Sequence, residues 1–206
     1  MKVLFIGGTG NISRAVSELA VEQGIALTLL NRGTQGGIPG TKSLAGDIHR
    51  EDETAALLEG RHWDCVVNWV AYTPADVERD IRLFSGKTGQ YIFISSASCY
   101  QKPPLQPLIT EATPLHNPYW EYSRNKIACE ERLMQAYRNS GFPVTIVRPS
   151  HTYDTKLPIP FGGSGESTVI DRLKRGLPIL IHGDRKSTRL NSSHVKISYA
   201  VFCLKK

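Results

Sequence analysis

"KVLFIGGTGNIS", residues 2–13, joins an apolar run to a helical pattern through a cluster of glycines. Residues 2–8 read as a buried strand, because apolar side chains follow one another without the alternation of a half-exposed strand. Residues 12–24, "ISRAVSELAVEQG", read as an amphipathic helix closed by Gly24. Gly7 and Gly10 hold the first two places of a GxxGxxG spacing, and Ser13 stands in the third. Glycine permits a positive φ and lets backbone come close to a pyrophosphate. The helix that follows offers unpaired N–H groups and the positive end of its dipole. A tight strand-to-helix turn would also use these glycines. Their place after the first strand favours dinucleotide binding.

Outward from this turn the pattern repeats. "ALTLLNR" (26–32), "DCVVNWVA" (64–71), "QYIFISSA" (90–97) and "PVTIVRPS" (143–150) are strand-length apolar runs. Helical patterns separate them at 51–60, 74–84 and near 118–139, and "STVIDRLKRG" with "PILIHG" closes the series. Apolar strands alternating with helices predict an α/β fold, a doubly wound parallel sheet of Rossmann type. Ligands in such a sheet sit at the carboxyl ends of the strands. Within the helix at 74–84, "DVERDIR" reads as a solvated face.

The formal charge of +6 and pI near 9.2 would ordinarily suggest an anionic partner. Residues 184–206 carry six Lys or Arg against Asp184 alone, which leaves 19 bases and 18 acids for residues 1–183. The body is near neutral, so charge gives no argument for nucleic acid. The four cysteines are far apart with no CxxC pair, and no metal site is expected. Cys65 and Cys99 read as buried free thiols. The chain opens directly into a strand, with no secretory signal and no apolar run long enough to span a bilayer; a cytoplasmic location is expected.

The second strand ends in Asn31 and Arg32, where an acid would hold the adenosine ribose of NAD. Arg32 can accept a 2′-phosphate, so the expected cofactor is NAD(P), leaning to NADP; a solvated arginine at a strand end is the alternative. Asp47 and Ile48, at the end of the third strand, suit an adenine site, or Asp47 caps the next helix.

"YSRNK" sets Tyr122 and Lys126 four residues apart on one helix face. A neighbouring ammonium favours the phenolate and is expected to lower the tyrosine pKa. The pair is then a proton-transfer unit for a carbinol or carbonyl. "FISSASCY" crowds Ser95, Ser96 and Ser98 at a strand end, where a hydroxyl can bond the reacting oxygen or merely satisfy backbone groups.

Together these residues resemble the extended short-chain dehydrogenase/reductase superfamily, of the NAD-dependent epimerase/dehydratase type. The resemblance covers residues 1–183 and rests on "GGTGNIS", "GDI", "NWVA", "SSASCY", "YSRNK" and "VRPSHTYD". It implies Ser96, Tyr122 and Lys126 as catalytic residues, with Lys126 binding the nicotinamide ribose and tuning the tyrosine. It implies Gly7, Gly10, Asn11 and Ile12 at the pyrophosphate and Asp47 with Ile48 at the adenine. Val70 and Ala71 would flank the cofactor, and Pro149 and Ser150 would lie near the nicotinamide. The implied activity is an NAD(P)-dependent epimerase or reductase acting on a nucleotide sugar or related small molecule. Ala97 and Ser98 stand where the sugar 4,6-dehydratases carry an Asp-Glu pair, which argues against dehydration. Ser13 is shared with atypical branches, and a non-catalytic RNA-binding relative of the chloroplast stem-loop type is the alternative function. A homodimer is left open. "FGGSGES" (161–167) reads as a lid rather than a second phosphate loop, and His151 is the histidine nearest the expected nicotinamide site.

Residues 184–206 change character. "DRKSTRLNSSH" and "ISYAVFCL" resemble the translation of a common short-read sequencing adapter, interrupted by an index that supplies Val195 and Lys196. The expectation is a truncated reading frame: a cofactor half, most of the substrate lobe missing, and an artefactual end that is β-prone enough to lie along an exposed sheet edge.

Overall fold

The computed structural model describes residues 1–33, 37–150, 152, 171, 174–176 and the backbone of 201–203. The chain divides into two compact units, Met1–Ser150 with Ala200–Lys206, and His151–Tyr199. The first is a seven-stranded sheet in the order β3-β2-β1-β4-β5-β6-β7. Its strands are β1 (Lys2–Ile6), β2 (Ala26–Asn31), β3 (Lys42–Ala45), β4 (Cys65–Asn68), β5 (Tyr91–Ile94), β6 (Val144–Arg148) and β7 (Val201–Cys203). β1 to β6 are parallel, and β7 runs antiparallel along β6. The Rossmann-like expectation holds. Order reverses between β2 and β4 on either side of β1, so the glycine turn opens at the switch point where such sheets bind ligands.

The helices are α1 (Asn11–Glu22), α2 (Glu51–Leu57), α3 (Pro74–Phe84) and α4 (Glu121–Ser140). α2 ends three residues short of the expected 60, and α4 begins three after 118. α4 has no side-chain N-cap to fix its start. α3 does: Thr73 Oγ1 accepts the Asp76 N–H, and Asp76 Oδ2 accepts the Thr73 N–H at 2.9 Å, with Pro74 in the first turn. α4 stops at Gly141, whose φ of 69° closes the helix in the left-handed region.

One core lies on each face of the sheet. Leu4, Ile6, Val66, Tyr91, Phe93 and Leu133 are fully buried in the larger one, with β-strand alternation sending Val3, Phe5 and Val67 to the other. None of the described helices is long and apolar enough to cross a membrane. Cys65, Cys99 and Cys129 are buried free thiols.

The solvated face expected for "DVERDIR" is not what the chain builds. Asp76, Arg79 and Asp80 are buried. Arg79 donates to Oδ1 of both Asp76 and Asp80, at 3.0 and 2.9 Å, and Asp80 Oδ2 accepts from Asn68 and from the Tyr91 hydroxyl, each at 2.5 Å. One guanidinium lies against both carboxylates, and the Asn68 and Tyr91 donors satisfy the second oxygen of Asp80, so burial is tolerated. A periodicity argument counts them as polar and cannot see their partners.

In the second unit, the Arg175 N–H donates to the Asp171 carbonyl at 3.0 Å. "FGGSGES", His151 and "PILIHG" lie outside the described residues, as do six of the ten residues of "STVIDRLKRG".

Candidate active site

The glycine turn is built from β1 and the small-residue face of α1. Gly7 and Gly8 have φ of 93° and 104°, a region that side chains disfavour. A Cβ on Gly7 would stand 3.3 Å from Val70 Cγ1, and one on Gly8 would meet Leu29 Cδ2 at 2.8 Å. A side chain on Gly8 would meet a neighbour more closely than one on Gly7, and the GxxGxxG register passes over Gly8. Ser13, Ser17 and Ala20 form the buried face of α1. The Ser17 hydroxyl donates to the Gly8 carbonyl at 3.0 Å.

Ser13 does more than fill a glycine's place. Its Oγ accepts the Gly10 N–H at 2.8 Å. Gly10 thus brings backbone close without offering its donor to a phosphate. The N–H groups of Asn11 and Ile12, in the first turn of α1, have no intrahelical acceptor and remain directed out of the N-terminus. The turn fits a pyrophosphate: two positive-φ glycines without side chains, then a helix start.

At the end of β2, Asn31 Oδ1 accepts the Gly33 N–H at 3.0 Å, and Arg32 is exposed. Among the described residues no carboxylate pairs with Arg32. Asp47 is half-buried and Oδ1 accepts the His49 N–H at 3.0 Å. It does not cap α2, whose N-cap position is Arg50. The Ile48 side chain belongs to the core at 5% exposure, so only its backbone could meet an adenine.

β4 ends in a loop held from behind. Asn68 Oδ1 accepts the Val70 N–H at 2.7 Å while Asn68 Nδ2 is fixed by Asp80. The charged network of α3 thereby sets Val70 against Gly7 and leaves the Ala71 carbonyl facing α4. Lys126 reaches across to it: Nζ donates to the Ala71 carbonyl at 2.7 Å and to the Ile94 carbonyl at 2.6 Å. Nζ also lies 4.7 Å from the ring centroids of Tyr72 and Phe93 and 5.7 Å from that of Tyr122. Burial pushes its pKa down to about 8.

Tyr122 lies one turn before Lys126, half-buried against Trp120 and Tyr72, with ring centroids 4.8 and 6.3 Å away. The expected lowering of its pKa is not found. Burial raises the phenol above its usual value, with Tyr72 and Cys99 adding to the rise and the Ser96 hydroxyl acting against it. The Lys126 ammonium, 5.7 Å from the ring centroid, donates to two carbonyls and not to the phenol.

The three serines have three different partners. Ser95 is buried and donates to Glu130, which Arg148 clamps from Nε and Nη2 at 2.9 and 2.5 Å. Ser96 Oγ caps the 3-10 turn Ala97–Cys99, accepting the Ser98 N–H at 3.1 Å, and faces Tyr122. Ser98 Oγ donates to Ser96 Oγ at 2.8 Å. Alternation along the end of β5 separates Ser95 from Ser96. Pro149, whose carbonyl accepts the Ala97 N–H at 2.9 Å, braces this turn, and Ser150 is exposed. A groove of about 380 Å³ lined by Glu130, Met134, Val144 and Arg148 lies along α4 and β6 and does not include Ser96, Tyr122 or Lys126.

Ser96, Tyr122 and Lys126 thus converge at the carboxyl ends of β4 and β5, the sheet edge that also carries the glycine turn. The NAD dependent epimerase/dehydratase family model matches residues 3–190. A curated relative, "Uncharacterized protein y4nG" of Sinorhizobium fredii, is 26% identical over 202 residues, covering 89% of this chain and 48% of the relative. Pal from Bacillus thuringiensis has a similar structure, with a TM-score of 0.71 at 22% identity, over 89% of this chain and 67% of that one. The dTDP-glucose 4,6-dehydratase of Bacillus anthracis, in complex with NAD, gives 0.69 at 18%, over 89% and 65%. The UDP-Glc/GlcNAc 4-epimerase of Campylobacter jejuni gives 0.62 at 23%, over 71% and 52%. The chain spans about half the length of the curated relative it matches.

Proposed function

Because the chain belongs to the NAD dependent epimerase/dehydratase family, we propose that it is the cofactor half of an NAD(P)-dependent epimerase or reductase acting on a carbinol or carbonyl. The substrate class is a nucleotide sugar or related small molecule. One observation carries the reading: Ser96, Tyr122 and Lys126 meet beside the glycine turn although they come from the turn after β5 and from α4, far from it in sequence.

A bound nicotinamide would accept and return a hydride. The chain's own residues do the rest. Tyr122, with its phenol kept protonated by burial, gives a proton to the substrate oxygen or takes it back. Ser96 hydrogen-bonds the same oxygen. Lys126 fixes α4 against the ends of β4 and β5 and holds one further N–H for the nicotinamide ribose. Gly7 and Gly10 with the N–H groups of Asn11 and Ile12 receive the pyrophosphate, and Asp47 with the Ile48 backbone receives the adenine. Val70, Ala71, Pro149 and Ser150 border the nicotinamide. Arg32 beside Asn31 would pair with a 2′-phosphate, which favours NADP.

Equilibrium titration with NADPH and NADH tests the reading. Binding of both, NADPH more tightly, is expected. Failure of both to bind would overturn it and turn attention to RNA, whose binding would weaken steeply with salt.

A further inference from the structure

A line of hydrogen bonds leads to Ser96 from a residue outside the constellation. Asn117 is buried at 7% exposure. Its Oδ1 accepts the Tyr119 N–H at 3.2 Å, and its Nδ2 donates to the Ser98 carbonyl at 2.8 Å. An N–H has no lone pair and a carbonyl no proton, so the amide has one orientation. Nδ2 also reaches Ser123 Oγ at 3.3 Å. Ser123, fully buried, donates onward to Ser98 Oγ at 2.8 Å, and Ser98 Oγ to Ser96 Oγ at 2.8 Å. Ser96 Oγ accepts the Ser98 N–H as well.

A hydroxyl has one proton and two acceptor positions. Both acceptor positions of Ser96 are filled from inside, so its proton is left for the side that faces Tyr122. We propose that Asn117 and Ser123 are positioning residues that act through Ser98 to hold the Ser96 hydroxyl as an obligate donor toward the reacting oxygen. The proposal rests on Ser96 and Tyr122 working together, as proposed above. Its chemical consequence is that the site receives an oxygen that accepts two hydrogen bonds, from Ser96 and from Tyr122. That is the form of a carbonyl gaining negative charge, and donors set in advance stabilise it without reorganising.

The test reads the ionisation of Tyr122 in the 206-residue chain. Tyrosine labelled with ¹³C at Cζ is followed by NMR from pH 8 upward, with Tyr122 assigned by loss of its signal in Tyr122→Phe. Tyr72, Cys99 and Lys126 are the other titratable groups around the ring, and none of them is changed. Ser96→Ala should raise the midpoint, because the donor to the phenolate is lost. Ser123→Ala should also raise it, since Ser98 becomes free to accept from Ser96 and the Ser96 proton can turn inward. Adding Ser98→Ala to Ser123→Ala removes that inward acceptor and should return the midpoint to the wild-type value. General loosening of the helix would not be reversed by a second deletion. Ser123→Thr keeps the hydroxyl and should leave the midpoint in place, and Asn117→Ala should act as Ser123→Ala does. If Ser96→Ala raises the midpoint while Ser123→Ala and Asn117→Ala leave it unmoved, the relay is overturned and the pairing of Ser96 with Tyr122 stands. If Ser96→Ala itself changes nothing, that pairing fails and takes the relay with it.

Discussion

Lys126 Nζ lies 2.6 Å from the carbonyl oxygen of Ile94, the last residue of β5. With the Ala71 carbonyl as its second acceptor, the ammonium ties α4 to the ends of two strands. A charge that looks like a tuning group for Tyr122 is therefore first a fastener. Its removal should be felt in stability as well as in chemistry.

Lys126 makes the stability of the chain depend on pH. Its folded pKa of about 8 lies below the usual 10.5. Between these values the unfolded chain binds more protons than the folded one, so stability rises with pH through this window. The full cost of burying the ammonium is present below about pH 8. Urea unfolding of wild type and Lys126→Met at pH 7 and pH 10 should show wild type gaining on the variant at the higher pH. An unchanged difference would contradict a depressed lysine.

Tyr122→Phe should leave α4 folded and cofactor affinity nearly unchanged. In a chain that includes the substrate-binding region, turnover should fall by roughly 10²–10⁴, the range for losing a general acid or base. Initial rates with saturating cofactor give the measurement. Full turnover in this variant would remove Tyr122 from the chemistry.

Arg32→Ala should erase the preference for NADPH over NADH. Affinity for NADH should stay where it was. A ratio that survives the substitution would mean that Arg32 is simply solvated.

Arg148→Met should destabilise the fold by about 3–5 kcal/mol, the cost of leaving a buried charge without its partner. Glu130 is 3% exposed and would lose all three of its bonds from the guanidinium. Replacing the pair together, Glu130→Gln with Arg148→Met, should recover part of the loss. Denaturant midpoints of the three chains decide it.

A chain ending at Gly183 should bind cofactor as the 206-residue chain does, since every proposed site residue precedes residue 151. Residues 201–203 form the outermost strand beside β6, so their removal leaves β6 as an open edge and is expected to change solubility rather than affinity. Loss of folding on deletion would show that residues 184–206 belong to the fold.

Much of this architecture could be read from local pattern. Continuous apolar runs at 2–8 and 64–71 become β1 and β4, since burial on both faces of a parallel sheet demands that composition. The four-residue spacing of Tyr122 and Lys126 placed them on one helical face for the same kind of reason: period is a property of neighbouring residues. What the pattern could not carry were partners distant along the chain. Ser95 and Ser96 are adjacent and chemically identical, yet one meets Glu130, 35 residues on, and the other caps its own turn. The charges of "DVERDIR" look solvated until Asn68 and Tyr91 are brought against them by the sheet. The Tyr122 pKa lies on the opposite side of its usual value from the expected one because burial penalises the phenolate. Sequence alone determined the strands, the helices and the glycine turn, whose causes are local. Which polar groups are buried and what each one bonds came from the folded arrangement, because hydrogen-bond partners and desolvation are set by packing across the sheet.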